Sequence, residues 1–257
     1  MTILEAKGLN KRFGGLIATR GVDLDVHDGE ILGLIGPNGA GKTTLFNLLS
    51  GALRVDSGVI RFKGQDITDL KPHQIARKGI ARTFQSVKIF SRISVFNHVR
   101  LGCLFGKPQP RGGAGADRTI DEILEFVGLS SMRDTRGADL ILANQKRLEI
   151  ARALGTGPEI LLLDELMAGL NPSEVAEAMD LVKRIRDRGV TLLVIEHVMK
   201  AIMNICDRIA VLHHGEKIAE GKPEEIAGNQ KVIEVYFGET ASAVPDQPSR
   251  LPQGRQV

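Results

Sequence analysis

The sequence predicts an α/β fold in which helices cover a mainly parallel sheet, with an antiparallel β subdomain near the N-terminus and an inserted α-helical subdomain. Short apolar runs rich in β-branched residues alternate with segments of helical period, which is typical of parallel strands joined by helices. Three of these runs are almost continuously hydrophobic, as expected of central strands buried on both faces. Between about residues 90 and 155 only helical periods remain, which predicts the insertion.

The clearest elements define the expected core. Strands are predicted at residues 31–35, 160–163, 191–195 and 208–213, and helices at residues 42–49, 145–154 and 173–186. The antiparallel subdomain is predicted from residues 17–27, where polar and apolar residues alternate. Residues 59–62, which follow a Ser-Gly turn, are expected to join it.

The insertion and the C-terminus set the predicted domain boundaries. Helical windows at residues 94–104 and 118–127 flank a Gly- and Pro-rich stretch, residues 106–115, which we interpret as a flexible linker. From Thr240 onward three prolines fall within eighteen residues, which predicts a disordered tail. We expect one domain over residues 1–239, with a core at about 1–89 and 155–239, a helical subdomain at about 90–154 and a tail at 240–257.

Composition excludes several classes of protein. The chain has 257 residues, enough to bury a core without disulfide staples, and Lys+Arg 34 against Asp+Glu 31 gives a net charge of +3. This balance and the scarcity of aromatic residues argue against a nucleic-acid partner. Cys103 and Cys206 lie far apart and are predicted to be reduced. No signal peptide or membrane-spanning segment is predicted.

A phosphate-binding loop is predicted directly after the strand at residues 31–35. The pattern GxxxxGK[ST] needs a strand before it and a helix after it, and both are present. Glycines allow the backbone N–H groups to surround a phosphate, and the helix N-terminus attracts the same anion. Lys42 is expected to reach the β and γ phosphates, and the Thr43 hydroxyl to bind Mg²⁺. The predicted nucleotide-binding residues of this loop are Gly36, Asn38, Gly39, Ala40, Gly41, Lys42, Thr43 and Thr44.

An acidic pair at the end of a second strand completes the predicted P-loop NTPase core. Asp164 follows an apolar run, as expected of a carboxylate that orders the Mg²⁺ shell. Glu165 is next to it and is predicted to activate or hold the attacking water.

These residues resemble the nucleotide-binding subunits of ATP-binding cassette (ABC) transporters, and the similarity runs from about residue 3 to residue 238. Gln85 resembles the Q-loop glutamine of that family, and His197 resembles its switch histidine. Residues 168–171, Ala-Gly-Leu-Asn, resemble its D-loop, and Phe13 lies where the family stacks an aromatic ring on adenine. The resemblance implies ATP and Mg²⁺ as ligands, Gln85 as a further Mg²⁺ ligand, and His197 as the residue that senses the γ-phosphate.

Finer resemblance favours the branched-chain amino acid importer subgroup. It rests on the Gly-Gly-Leu at 14–16, Thr-Leu-Phe-Asn at 44–47, residues 79–85, the Ala-Gly-Leu-Asn-Pro at 168–172 and Ile-Ala-Glu-Gly at 218–221. It implies a peripheral protein at the cytoplasmic face of a bacterial inner membrane. Its expected partners are integral membrane permease subunits, docked through about residues 86–100, and indirectly a substrate-binding protein.

One motif departs from the family. Its signature Leu-Ser-Gly-Gly-Gln aligns with residues 140–144, Leu-Ile-Leu-Ala-Asn. Ile141 lacks the hydroxyl that the family uses to hold the γ-phosphate on the opposite subunit, and Leu142 adds bulk. We expect Asn144 to cap the following helix, so that its N-terminus still attracts phosphate. The altered segment favours a heterodimer with a second ATPase chain that has one competent and one impaired ATP site, although a homodimer that works through backbone amides is possible.

Three other functions are also compatible with part of the sequence. A regulatory ATP-binding module with little hydrolysis would also fit the altered signature. A non-transport relative that acts on nucleic acid or ribosomes usually carries paired cassettes or long coiled-coil insertions, and 257 residues leave room for neither. The balanced charge also argues against this function. A metabolic phosphoryl-transfer kinase fits the phosphate loop alone, but Gln85, His197 and the D-loop resemblance argue against it.

Overall fold

A computed structural model describes residues 1–84, 88–107 and 114–241 of the chain. The strands are β1 Thr2–Phe13, β2 Leu16–His27, β3 Ile31–Ile35, β4 Ser57–Phe62, β5 Gln65–Asp66, β6 Ile80–Arg82, β7 Ile160–Asp164, β8 Thr191–Ile195, β9 Arg208–His213 and β10 Glu216–Gly221. The α-helices are α1 Lys42–Leu49, α2 Pro72–Lys78, α3 Val95–Phe105, α4 Ala114–Val127, α5 Leu142–Leu154, α6 Pro172–Asp187, α7 Met199–Ile205, α8 Pro223–Ala227 and α9 Gln230–Ala241.

A six-stranded sheet of order β10-β9-β3-β8-β7-β6 forms the centre of the fold. The five strands from β9 to β6 run parallel, and only the edge strand β10 is antiparallel. Strands β3, β7 and β8 are buried along their whole length. The predicted mainly parallel sheet with buried central strands is therefore confirmed.

The predicted N-terminal antiparallel subdomain is a second sheet of order β2-β1-β4-β5. Its two long strands, β1 and β2, pair through most of their length, and β4 pairs with the other edge of β1. In β2 the residues Val22, Leu24 and Val26 are all buried, as their alternation predicts.

The central sheet separates two apolar layers. Alternate residues of β3 point to opposite faces, so that Ile31 and Ile35 pack with helices α3 to α7, whereas Leu32 and Leu34 pack with α1 and the antiparallel sheet. Strand β7 divides in the same way, with Leu161 on the first face. Each buried strand is therefore held from both sides.

The inserted α-helical subdomain contains α3, α4 and α5, which pack on one another. Helices α3 and α4 lie close to their predicted positions, and most of the predicted linker lies outside the described residues. Helix α9 ends at Ala241, so the first two residues of the predicted tail are helical and the remainder lies outside the described residues. Among the described residues no helix is both long and apolar enough to cross a membrane.

Candidate nucleotide-binding site

The predicted site residues follow three neighbouring parallel strands. Strand β3 leads into the phosphate loop, β7 ends at Asp164, and β8 is followed by Glu196 and His197. Asp164 pairs in register with the last residue of β8, and β8 pairs with β3. Because the carboxyl ends of parallel strands meet at one edge of the sheet, the loop, the acidic pair and the histidine converge there.

Two glycines of the phosphate loop have no room for a side chain. Gly36 has φ 152°, and a Cβ atom there would lie 2.1 Å from the carbonyl oxygen of Leu212. Gly41 has φ 102°, and a Cβ atom there would lie 2.3 Å from the carbonyl oxygen of Ala18. Helix α1 starts after Gly41 without a side-chain cap, so the partial positive charge of its N-terminus faces the loop.

Lys42 is buried in the same loop. Its ammonium group donates hydrogen bonds to the carbonyl oxygens of Gly36 at 2.6 Å and Pro37 at 2.9 Å. Burial lowers the Lys42 pKa, whereas the negative charges of Glu165 and Asp164 oppose that shift. The site therefore combines a desolvated cation with two carboxylates that stabilise its charge. Of the remaining predicted loop residues, Asn38, Gly39 and Thr43 are exposed, Thr44 is half-buried and Ala40 is buried.

Asp164 is buried and bonded to Arg82. An Arg82 guanidinium nitrogen donates to Asp164 Oδ2 at 2.9 Å, and Asp164 Oδ1 is buried without a hydrogen-bond partner among the described residues. Burial raises the Asp164 pKa, and the Arg82 charge counteracts that rise. An unsatisfied carboxylate oxygen beside the phosphate loop is a suitable ligand for Mg²⁺ or for a water molecule of its shell.

Glu165 and His197 form a hydrogen-bonded pair. Glu165 has φ 51°, a left-handed conformation that is uncommon for a residue with a side chain. Its N–H donates to the carbonyl oxygen of Ile195 at 2.9 Å, and His197 Nε2 lies 2.8 Å from Glu165 Oε1. The unusual backbone conformation thus occurs at the predicted water-activating residue, where strain is often functional.

The structure adds residues that the sequence did not single out. Arg82 pairs with Asp164, and Lys146 Nζ donates to the Glu165 carbonyl oxygen at 2.9 Å. Glu196 Oε1 accepts the Met167 N–H at 2.7 Å, and burial raises the pKa of Glu196 to about 7. Glu196 directly follows the buried strand β8, and this position could have marked it as a site residue. Arg82 and Lys146 give no such signal, because contacts between distant parts of the chain bring them to the site.

The altered signature segment lies at the start of α5. Ile141 is 64% exposed and Leu142 is 42% exposed, so both apolar side chains face outward. The predicted cap is wrong: α5 begins at Leu142, its N-cap position is Ile141 without a side-chain bond, and Asn144 instead donates to the Met132 sulfur. Asn144 stands one turn too late to cap because the altered residues themselves adopt the helix start.

The D-loop resemblance falls on a well-capped helix start. Asn171 Oδ1 accepts the Glu174 N–H at 3.0 Å, and the Glu174 carboxylate accepts the Asn171 N–H at 2.9 Å. This capping box fixes the start of α6 immediately after the turn that carries Gly169. A Cβ atom on Gly169 would lie 3.2 Å from Leu142, so the turn lies next to the altered segment.

One predicted site residue, Phe13, lies apart from this cluster, and another, Gln85, is not among the described residues. Phe13 ends β1 in the antiparallel sheet, is 46% exposed, and has the Lys11 ammonium 5.7 Å from its ring centroid. Within the described ranges, no group of three or more His, Cys, Asp or Glu residues could hold a metal ion alone. A protein-only metal cage is therefore not part of the described site.

An apolar groove lies between the central sheet and the inserted subdomain. It has a volume of about 830 Å³, and its lining includes the partly exposed rings of Phe84, Phe90 and Phe105. Arg82, Lys88 and Arg152 also line it, which makes its polar part basic.

Comparison with known proteins agrees with this geometry. The family profile described as "ABC transporter" matches residues 19–168, and the one described as "Branched-chain amino acid ATP-binding cassette transporter" matches residues 216–242. The chain is 42% identical over 250 residues to the high-affinity branched-chain amino acid transport ATP-binding protein BraF of Pseudomonas aeruginosa, covering 92% of this chain and 98% of BraF. It is 41% identical over 250 residues to LivG of Escherichia coli strain K12, which carries the same description, with the same coverage. It also resembles the crystal structure of the ADP conformation of MJ1267, an ATP-binding cassette of an ABC transporter, with a TM-score of 0.85, 32% identity and coverage of 93% of this chain and 99% of that one.

Proposed function

Because this chain belongs to the ABC transporter family and is an ATP hydrolase of that family, we propose that it powers a membrane importer for branched-chain amino acids or related small amides. We further propose that it works with integral membrane permease subunits and a second ATPase chain at the cytoplasmic face of a bacterial inner membrane. The observation that carries the proposal is the convergence of the phosphate loop, Asp164, Glu165 and His197 at one sheet edge. The regulatory alternative has no support from the comparisons.

The phosphate loop is proposed to bind the ATP phosphates. Lys42 and the uncapped N-terminus of α1 supply positive charge to the β and γ phosphates, and the exposed ring of Phe13 stacks on the adenine. Thr43, Gln85 and Asp164 are proposed to hold Mg²⁺, which when bound neutralises phosphate charge. The unsatisfied Asp164 oxygen supports that assignment.

Glu165 is proposed to polarise the attacking water. Its carboxylate can accept a hydrogen bond from the attacking water. His197, which is hydrogen-bonded to the same carboxylate, is placed to respond to the γ-phosphate. Replacing Glu165 by Gln keeps the shape of the side chain and removes its charge. We expect Glu165→Gln to bind ATP like the wild type and to lose nearly all turnover in the purified transporter, and unchanged steady-state hydrolysis would reject this role.

The outward-facing apolar residues Ile141 and Leu142 support an asymmetric dimer. Neither side chain can donate a hydrogen bond to a γ-phosphate on a second subunit, and only the backbone N–H groups of the α5 start remain for that purpose. In a heterodimer, Lys42, Asp164 and Glu165 would meet an intact signature from the partner, whereas the partner's loop would meet the altered segment. Vanadate trapping with photo-labelled nucleotide should then label the two ATPase chains unequally, and equal labelling would contradict the heterodimer.

The groove is proposed to receive a cytoplasmic segment of a permease subunit. Its exposed aromatic rings require an apolar partner surface, and Lys88 near them favours a carboxylate on that segment. Phe105 lines the groove and is 66% exposed, whereas its neighbour Leu104, 57% exposed, does not line it. Phe105→Ser should lower permease recovery at least about fivefold while Leu104→Ser does not, because interface aromatics carry much of the binding free energy. Equal recovery in both variants would exclude this groove.

The decisive experiment is to identify the complex that forms around this chain. The detergent-extracted complex is captured from the native host through a tag on this chain, and its intact mass and subunits are determined. We expect two permease chains and a different ATPase that bears Leu-Ser-Gly-Gly-Gln. Permeases with two copies of this chain would instead mean that residues 140–144 support hydrolysis, and capture without permease chains would reject the transport function.

A further inference from the structure

We infer that Lys146 is a positioning residue for Glu165, because its ammonium group holds the carbonyl oxygen of the turn that directs the Glu165 carboxylate toward His197. Lys146 lies in α5, in the inserted subdomain, whereas Glu165 follows β7 in the core. The bond from Lys146 Nζ to the Glu165 carbonyl oxygen measures 2.9 Å. The inference rests on the proposed role of Glu165.

The Glu165 turn needs external support. Its left-handed φ of 51° disfavours a residue with a side chain, and such conformations cost on the order of 1–3 kcal/mol where neighbours do not hold them. The neighbours here are specific: the Ile195 carbonyl accepts the Glu165 N–H, the Glu196 carboxylate accepts the Met167 N–H, and Lys146 binds the Glu165 carbonyl. Of these three contacts, the one made by Lys146 comes from the inserted subdomain.

Burial of Lys146 is costly unless its charge is used. The residue is only 6% exposed, and removing an ammonium group from water is unfavourable. Its hydrogen bond to the Glu165 carbonyl offsets that cost, and the nearby Glu196 and Glu149 carboxylates add to this effect at a pH where they are ionised. A buried apolar side chain would fill the same space without desolvating a charge. The amine is therefore explained by the contact that it makes with the catalytic turn.

Helix α5 also binds the backbone of Lys88, which lines the apolar groove. Glu149 Oε1 accepts the Lys88 N–H at 2.8 Å, and Arg152 donates to the Lys88 carbonyl oxygen at 2.6 Å. Lys146 and Glu149 are three residues apart and lie on one side of α5. A shift of α5 about 1 Å away from the core would lengthen the Lys146 bond beyond hydrogen-bonding distance. The position of the inserted subdomain therefore affects how firmly Glu165 is held.

The test uses the transporter complex captured through a tag on this chain. Phosphate release is measured against ATP concentration for the wild type, Lys146→Met, Lys146→Arg and the matched control Arg147→Met, which removes a cation from the same helix turn. Arg147 pairs with Glu177 on α6, whereas the donor to the Glu165 carbonyl oxygen is Lys146. ATP affinity is measured separately with a fluorescent analogue, so that a change in binding is distinguished from a change in turnover.

We expect Lys146→Met to lower kcat about 10- to 100-fold while the KM for ATP stays within about threefold, because misplacing a reacting group by about 1 Å has an effect of that size. Lys146→Arg keeps a donor and should retain kcat within about threefold, and Arg147→Met should match the wild type. If Lys146→Met does not fold, Lys146→Gln is used instead, since its amide nitrogen is one bond too short to reach and should give the same loss.

Three results would overturn the inference: a normal kcat in Lys146→Met, an equal loss in Arg147→Met, or a loss of ATP affinity that accounts for the whole change. Glu165→Gln is assayed beside them to separate this inference from the proposed function. If Glu165→Gln keeps its turnover, the role of Glu165 fails. If it loses turnover and Lys146→Met does not, only the positioning role of Lys146 fails.

Discussion

The Glu196 carboxyl is expected to make folding stability fall as pH rises. Glu196 is 2% exposed, and burial raises its pKa from 4.5 to about 7 despite the hydrogen bond from Met167 and the charge of Lys146. Between pH 4.5 and 7 the folded protein therefore keeps a proton on this group that the unfolded chain has released. The folded state binds more protons in that window, so raising the pH favours unfolding.

The size of the effect follows from the two pKa values. They differ by about 2.5, and a tenfold change in an ionisation equilibrium corresponds to about 1.4 kcal/mol, so the loss reaches about 3 kcal/mol above pH 7. Glu196→Gln imitates the protonated carboxyl and keeps an oxygen for the Met167 N–H. Relative to wild type, this variant should gain about 3 kcal/mol of unfolding free energy between pH 5 and pH 8, or roughly 6 to 12 °C in Tm for a chain of this size.

Denaturant unfolding of the purified chain, followed at half-unit intervals from pH 5 to pH 8, measures this difference. The control is Glu122→Gln, which removes an exposed carboxylate paired with Arg118 and should change the unfolding free energy by less than about 1 kcal/mol at every pH. A difference between Glu196→Gln and wild type that stays constant with pH would refute the reasoning. A difference that shrinks as pH rises would mean that pairing with Lys146 outweighs burial.

Three further predictions concern the site and its support. Gly36→Ala should weaken binding of a fluorescent ATP analogue at least about fivefold, because its Cβ atom would lie 2.1 Å from the Leu212 carbonyl oxygen; normal affinity would contradict this. Arg82→Met should cost about 3 kcal/mol in denaturant unfolding, because it leaves the buried Asp164 carboxylate without its cation, and adding Asp164→Asn should recover most of it; an additive second loss would argue otherwise. Burial lowers the pKa of His98, so the folding stability that the neutral ring contributes above pH 6.5 should be lost as pH falls through its folded pKa. In thermal unfolding, His98→Gln should therefore show a smaller drop in Tm at acidic pH than the wild type.

The sequence predicts the central strands well because their signal is local. Residues 31–35, 191–195 and 208–213 are strands over the predicted ranges, and residues 42–49 form a helix as predicted. Each of the three strands is a mainly apolar run with a clear break on either side, and the helix follows the glycine-rich phosphate loop. Strand β1 gives no such signal, because its charged residues Lys7 and Lys11 interrupt the pattern, and it is held by pairing with β2 and β4. Long-range pairing of this kind is not visible in a single segment.

The site divides in the same way between local and distant signals. Lys42, Asp164 and Glu165 are predictable from local signals: Lys42 ends the glycine-rich loop that follows β3, Asp164 ends β7 and Glu165 comes directly after it. Because parallel strand ends meet at one edge of the sheet, these residues are expected to lie close together. Arg82 and Lys146 reach the same place from an edge strand and from the inserted subdomain. Their roles depend on packing between segments that are far apart in the chain, so no spacing in the sequence marks them.

The altered start of α5 explains how the chain can match ABC cassettes in fold and still lose their signature. Ile141 and Leu142 face outward, and substitutions at exposed positions usually change folding free energy by less than about 0.5 kcal/mol. One turn later, Lys146 and Glu149 are buried and bonded to the core and to the groove segment. The folding free energy thus depends more on the buried residues Lys146 and Glu149 than on the exposed residues Ile141 and Leu142. In the proposed heterodimer, only the nucleotide on the second subunit would need hydrogen-bond donors there, so the altered segment would affect the partner's site and leave the contacts of this chain's own site in place.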